Sequence, residues 1–184
     1  MDILVVVDMQ NDFVSGALGT PEAGDIVPYV VGRVVDGLNR GETVLFTRDT
    51  HGPDYLETQE GKKLPVPHCI KGTEGWEIID QLREDTVDRT VIDKPTFGSA
   101  ALGERLAELD REERIEKITL IGLCTDICVI SNALLAKAFL PEAEIVVDAA
   151  CCAGVTPESH RNALEAMKAC EASVDEQMHA LGLE

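Results

Sequence analysis

Short apolar runs rich in β-branched residues recur along the chain, and polar residues follow them closely. Ile3 to Val7 is followed by Asp8, and Thr43 to Thr47 by Asp49 two residues on. Runs of this length and composition read as strands. Between them Ile26, Val30, Val34 and Leu38 recur at helical spacing, and Gly41 closes the pattern as a helix stop does. The alternation continues with a strand at Thr90 to Ile92, a helix at Leu102 to Leu109, a strand at Ile118 to Gly122 and a helix at Thr125 to Phe139 stopped by Pro141. A strand at Glu144 to Val147, a helix at Thr156 to Cys170 with Pro157 at its first position and a short strand near Ala172 to Val174 complete it. This order predicts a three-layer α/β/α fold with a mostly parallel central sheet of five or six strands, joined by right-handed crossovers. With 184 residues, the chain has room for one such sheet and its helices, and a single domain over residues 1–184 is expected.

One stretch breaks the alternation. Thr50 to Thr73 carries Gly52, Pro53, Gly61, Pro65, Pro67 and Gly72, and is long for a loop in a compact domain. Loops of that length tend to be functional, and this one holds His51 and His68, half of the four histidines in the chain.

In a parallel sheet ligands bind beyond the carboxyl ends of the strands, so the polar residues that terminate apolar runs are brought together there. Asp8, Asp49, the Asp93-Lys94 pair and the segment Gly122 to Cys128 all occupy such positions. Thr125 is a suitable N-cap residue, which places Cys128 at about the third position of a helix. There free amides and the helix dipole favour a thiolate, so a low pKa is expected for Cys128, with its own N–H available to an oxyanion. Asp8 could exchange the proton of that thiol, and Lys94 could hold both groups as anions.

Composition narrows the remaining choices. Hydrophobic residues make up 45% and charged residues 27%, which fits a folded core. The net charge of −18 would repel nucleic-acid phosphates and anionic lipid headgroups, so neither is expected as a partner. No apolar run approaches the length of a membrane span, and the N-terminus lacks a basic region and a cleavage site, so a cytoplasmic protein is expected. The six cysteines show no zinc-ribbon spacing and read as reduced thiols.

These residues resemble the isochorismatase-like cysteine hydrolases, whose best-known members are nicotinamidases. The resemblance rests on Val7-Asp8-Met9-Gln10-Asn11-Asp12-Phe13, Asp49-Thr50-His51, Pro67-His68-Cys69, Asp93 to Ala100 and Gly122 to Val129, in an order and spacing that hold over nearly the whole chain. It implies a catalytic triad of Asp8, Lys94 and Cys128 and hydrolysis of a small amide through a thioester on Cys128. It further implies a cis peptide between Leu123 and Cys124, an oxyanion hole at the amides of Cys124 and Cys128, and a homo-oligomer. A divalent metal, zinc, iron or manganese, is implied at Asp49, His51 and His68. For the fourth ligand Glu60 is preferred over Glu57, which stands where many nicotinamidases have histidine.

Nicotinamide is the substrate the resemblance favours, with Phe13 as one aromatic wall of its slot. The second wall falls on Pro65, which has no aromatic ring, although Tyr55 of the long loop could replace it. A carbamoyl or ureido amide, or a vinyl ether, is the alternative substrate. A catalytically idle module binding a metal or a protein is a third reading, which a complete Asp8, Lys94 and Cys128 set disfavours.

Overall fold

The computed structural model describes residues 1–176. Its six strands are β1 (Asp2–Val7), β2 (Thr43–Asp49), β3 (Thr90–Lys94), β4 (Lys117–Leu123), β5 (Glu144–Ala153) and β6 (Ser173–Asp175). They form one sheet in the order β3-β2-β1-β4-β5-β6, and every pairing is parallel. The strand order reverses direction at β1, which makes the crevice beyond β1 and β4 the place where a ligand would enter.

Alternation along β1 explains the three layers. Ile3, Val5 and Val7 pack with Leu102, Leu106, Ala133, Leu164 and Met167, while Leu4 and Val6 pack with Val30, Val34, Phe46 and Leu82 on the other face. The helices Ala100–Glu112, Ile130–Phe139 and Pro157–Ala169 cover the first face, and Val27–Asn39 covers the second. Side-chain caps fix several starts: Ser99 accepts from the Leu102 amide at 3.1 Å, and Thr156 forms a capping box with Ser159.

Three boundaries differ from the hydrophobic pattern. β2 and β3 run on to Asp49 and Lys94, which pair with each other in register, because backbone pairing continues past the last apolar residue. β5 continues through the small residues Ala149 to Ala153, after a register shift opposite Leu120 and Gly122. The long loop is not structureless: Tyr55–Glu57 forms a 3₁₀ turn and Gln59–Lys63 a short helix capped by Thr58. Among the described residues no helix is long and apolar enough to cross a membrane.

Candidate active site

The sheet register brings four polar strand ends together. Asp8 follows β1 at a φ of 49°, a left-handed conformation that non-glycine residues rarely adopt. Beside it Gly122 has a φ of 111°, and a Cβ there would meet the Val7 carbonyl oxygen at 2.1 Å, so only glycine allows β4 to pass this close. The Lys94 ammonium then lies 2.7 Å from Asp8 Oδ2, 3.2 Å from Asp49 Oδ1, 3.4 Å from Cys128 Sγ and 3.2 Å from the Thr96 carbonyl. Thr47 Oγ1 donates to the other Asp8 oxygen at 2.7 Å.

The centre of this network is out of water, with Lys94 and Asp8 at 0% exposure. Burial alone would discharge Lys94, but the neighbouring carboxylates, Asp8 foremost and then Asp49, outweigh it and raise its pKa, so it stays an ammonium. Burial raises Asp8 despite the opposing pull of Lys94.

Cys128 departs from the expectation of a low pKa. Burial, reinforced by Asp8, pushes its thiol well above 9.0. The expected helix start is also different: Thr125–Val129 is a single π turn without a side-chain cap, and Cys128 is its fourth residue. Thr125 is buried and spends its hydroxyl on His160 Nδ1 at 2.8 Å. A helix terminus contributes roughly 0.3–1 kcal/mol, whereas burying a charge shifts a pKa by several units, so desolvation wins. Its sulfur accepts from the Lys94 ammonium at 3.4 Å, and because Cys128 is buried it is not expected to react faster than the exposed Cys170 with a general alkylating reagent.

The second cluster is built by the long loop. Its two histidine-bearing segments are tied by main-chain bonds, the His51 amide to the Cys69 carbonyl at 3.0 Å and the Lys71 amide to the His51 carbonyl at 2.9 Å. Asp49, His51, Glu60 and His68 each aim one donor atom into a space where all four lie within 4.8 Å of one another. His68 Nδ1 donates to the Val66 carbonyl at 2.8 Å, which leaves the Nε2 lone pair facing the cluster. His51 Nε2 is buried and 2.9 Å from Asp49 Oδ2, yet it has no hydrogen-bond partner. An orphaned imidazole nitrogen beside two carboxylates fits a divalent cation, and this donor set suits zinc, iron or manganese. Burial lowers the His51 pKa, but Asp49 and Glu60 outweigh it and raise it, so without a metal the cluster attracts a proton instead. Glu57 contributes no donor atom to this group.

A cavity of about 530 Å³ opens above both clusters and is lined largely by apolar atoms. Cys124 and Cys128 line it together with His51, Glu60 and His68, and Phe13, Leu64, Phe97 and Ile127 add apolar surface. Phe13 packs on His68 with ring centroids 5.6 Å apart. Neither Pro65 nor Tyr55 lines the cavity. Tyr55 instead sits behind the histidines, 4.7 Å from His51 and 5.0 Å from His68 between centroids, with its hydroxyl donating to the Leu64 carbonyl at 2.9 Å. Phe97 is the second aromatic ring at the cavity. The peptide between Leu123 and Cys124 is cis.

Two further residues of the first motif, assigned no role from the sequence, support the second cluster. Gln10 is fully buried and grips Asp49 by its backbone: Oε1 accepts from the Asp49 amide at 2.7 Å, and Nε2 donates to the Asp49 and Trp76 carbonyls, each at 2.8 Å. Asp12 Oδ2 accepts from the Cys69 amide at 2.8 Å, which anchors the residue next to His68. Their signal was a glutamine and an aspartate just past the apolar β1, where a polar residue must find a partner once buried.

A parallel α/β sheet whose edge gathers a thiol, two carboxylates and a buried ammonium beneath an apolar cavity has the architecture of a small-molecule hydrolase. Residues 2–177 match the isochorismatase domain, and the chain belongs to that family. It is similar to the crystal structure of nicotinamidase PncA from Bacillus subtilis, with 32% identity, a TM-score of 0.81 and coverage of 95% of this chain and 99% of that one. It is also similar to the structure of the pyrazinamidase of Pyrococcus horikoshii in complex with zinc, at 28% identity and a TM-score of 0.79, covering 96% and 99% of the two chains. A protein of Arabidopsis thaliana described as a probable inactive nicotinamidase is 32% identical over 165 residues, 85% of this chain and 83% of that one. Likeness at this level does not by itself decide activity, which turns on the side chains present at the site.

Proposed function

We propose that this protein is a metal-containing amidohydrolase that converts nicotinamide to nicotinate and ammonia. The observation that carries this reading is the buried Lys94 ammonium, 2.7 Å from Asp8 and 3.4 Å from Cys128, with Cys128 itself lining an apolar cavity that a four-donor cluster also lines. Similarity to nicotinamidases supports it.

Burial raises the pKa of the Cys128 thiol, so attack needs a base at the moment the carbon–sulfur bond forms. Asp8, which shares the Lys94 ammonium with Cys128, takes the proton as Sγ adds to the amide carbonyl. Lys94 stays protonated and stabilises the charge that develops on this buried group. The backbone amides of Cys124 and Cys128 are the donors assigned to the tetrahedral oxyanion. Asp8 then gives its proton to the departing nitrogen, ammonia leaves, and a thioester remains. In the second half Asp8 takes a proton from water, whose oxygen attacks the thioester carbonyl. The acid is released and the proton returns to Cys128. Asp49, His51, Glu60 and His68 would hold the divalent ion. Bound there, the ion supplies a Lewis-acid position for a ring nitrogen of the substrate. Phe13 and Phe97 supply the aromatic surfaces for the ring.

A carbamoyl or ureido amide is the second reading, favoured by the absence of Pro65 and Tyr55 from the cavity wall and by the rim position of Phe97, which is 44% exposed. Ammonia release from a panel of small amides, with and without added zinc, iron or manganese, tests the proposal. Rapid cleavage of an acyclic ureide with no nicotinate formed from nicotinamide would move the protein to the second reading.

A further inference from the structure

One buried carboxamide joins the turn that bears Cys128 to the segment that bears Phe97. Asn132 lies on the helix Ile130–Phe139 at 0% exposure. Its Nδ2 donates to the Cys128 carbonyl at 2.8 Å and to the Phe97 carbonyl at 3.1 Å, and its Oδ1 accepts from the Ser99 amide at 2.9 Å. The segment on the far side of these bonds, residues 95–99, serves the site in two ways. The Thr96 carbonyl holds Lys94 at 3.2 Å, and the Phe97 ring forms part of the cavity wall.

Packing alone does not call for this residue. A leucine would fill nearly the same space, but the buried Cys128 carbonyl and Ser99 amide would lose this partner and the part-buried Phe97 carbonyl would be released. Asparagine also competes with backbone hydrogen bonding inside helices, so its place here needs a specific use. The use available is geometric: three bonds from one rigid planar group fix the Cys128 backbone against the loop that steadies Lys94 and carries Phe97. The sulfur rides on the turn whose carbonyl is held, and a misplacement of about 1 Å in a reacting group costs on the order of 10²-fold in rate.

The geometry points to Asn132 as a positioning residue for the amide hydrolysis proposed above. It holds the distance between Cys128 and the segment 95–99, and through that segment the placement of Lys94 and Phe97. The inference rests on Cys128 being the nucleophile.

The test compares Asn132→Leu with Asn132→Thr in the full-length, metal-loaded protein. Leucine removes every bond, whereas threonine can still donate from its hydroxyl to the carbonyl four residues back, which is that of Cys128. Asn132→Leu is expected to lower kcat by about 10²-fold and to slow alkylation of Cys128 by iodoacetamide, read site by site by mass spectrometry, with Cys170 as an internal reference. Asn132→Thr should recover most of kcat and of the alkylation rate while keeping a raised KM, because the Phe97 carbonyl stays unheld. If Asn132→Leu does not fold, the threonine variant carries the test through its split between KM and kcat. Wild-type kcat, KM and Cys128 alkylation in the folded variants would overturn the inference, as would a loss of melting temperature with unchanged Cys128 alkylation. Cys128→Ala separates the two levels: turnover retained there overturns the nucleophile assignment itself, whereas turnover lost there with normal Asn132 variants overturns only the role of Asn132.

Discussion

Replacing Lys94 with methionine keeps most of the side chain's length and removes its charge. In the wild type the ammonium is surrounded by Asp8, Asp49 and Cys128, and no water reaches it. Removing one partner of a buried ion pair leaves uncompensated charge and costs about 3–5 kcal/mol. For a chain of this size each kcal/mol lowers the melting temperature by roughly 2–4 °C, so a drop of roughly 6–20 °C is expected. The lower end is favoured, because Asp8, already raised by burial, can relieve the repulsion by taking a proton. That also fixes the pH dependence. A carboxyl whose folded pKa lies above its ordinary 3.8 binds its proton more tightly in the folded state, so its contribution is present below 3.8 and is lost as pH rises through the folded value. Without Lys94 the Asp8 pKa rises further, so the deficit against wild type should be largest at neutral pH and should shrink as the solution is acidified. Urea unfolding in the presence of EDTA reads this without a contribution from bound metal. Adding Asp8→Asn to Lys94→Met should return roughly 0.5–3 kcal/mol, the coupling expected between touching groups. A loss below about 1 kcal/mol, or no recovery in the double variant, would refute the reasoning that a buried charge cluster dominates here.

The other expectations concern the metal and the ring. Glu60→Gln, His51→Ala and His68→Ala should each lower bound zinc, iron or manganese measured by elemental analysis, whereas Glu57→Gln should leave it unchanged. Metal occupancy should fall on acidification through the raised pKa of His51, since imidazole must lose its proton to ligate; isothermal titration across pH reads this directly. Phe13→Ala and Phe97→Ala should each raise KM for nicotinamide by up to about tenfold, the worth of one aromatic contact, with a smaller change in kcat. Equal losses in kcat would instead place these rings in the transition state.

Much of the fold was legible because the inner strands are buried on both faces and read as apolar runs, and because polar residues at the carboxyl ends of parallel strands converge. Asp8, Asp49 and Lys94 could be found that way. The sheet order could not, since it depends on which runs pair across long crossovers. The cysteine turn was misread because Thr125 is a good capping residue by type, while its hydroxyl is taken by a histidine 35 residues away. The electrostatics of Cys128 were missed for a related reason: helix position is visible in a sequence and depth of burial is not. Phe97 lies beyond β3 in a motif noted for Lys94, and only the packed structure shows that its ring, rather than Pro65 or Tyr55, reaches the cavity. Glu60 became distinguishable from Glu57 through the short helix Gln59–Lys63, whose Gly61 lies where a Cβ would meet the Tyr55 carbonyl oxygen at 2.1 Å.

The central claim is that Cys128 forms the covalent bond to the substrate carbonyl. Ammonia release from nicotinamide by the metal-loaded Cys128→Ala variant, alongside its circular dichroism and metal content, tests it most directly. With fold and metal retained, turnover is expected to fall by at least about 10⁴-fold, as it does when a member of a catalytic unit is removed. Turnover within a few-fold of wild type in that variant would contradict it.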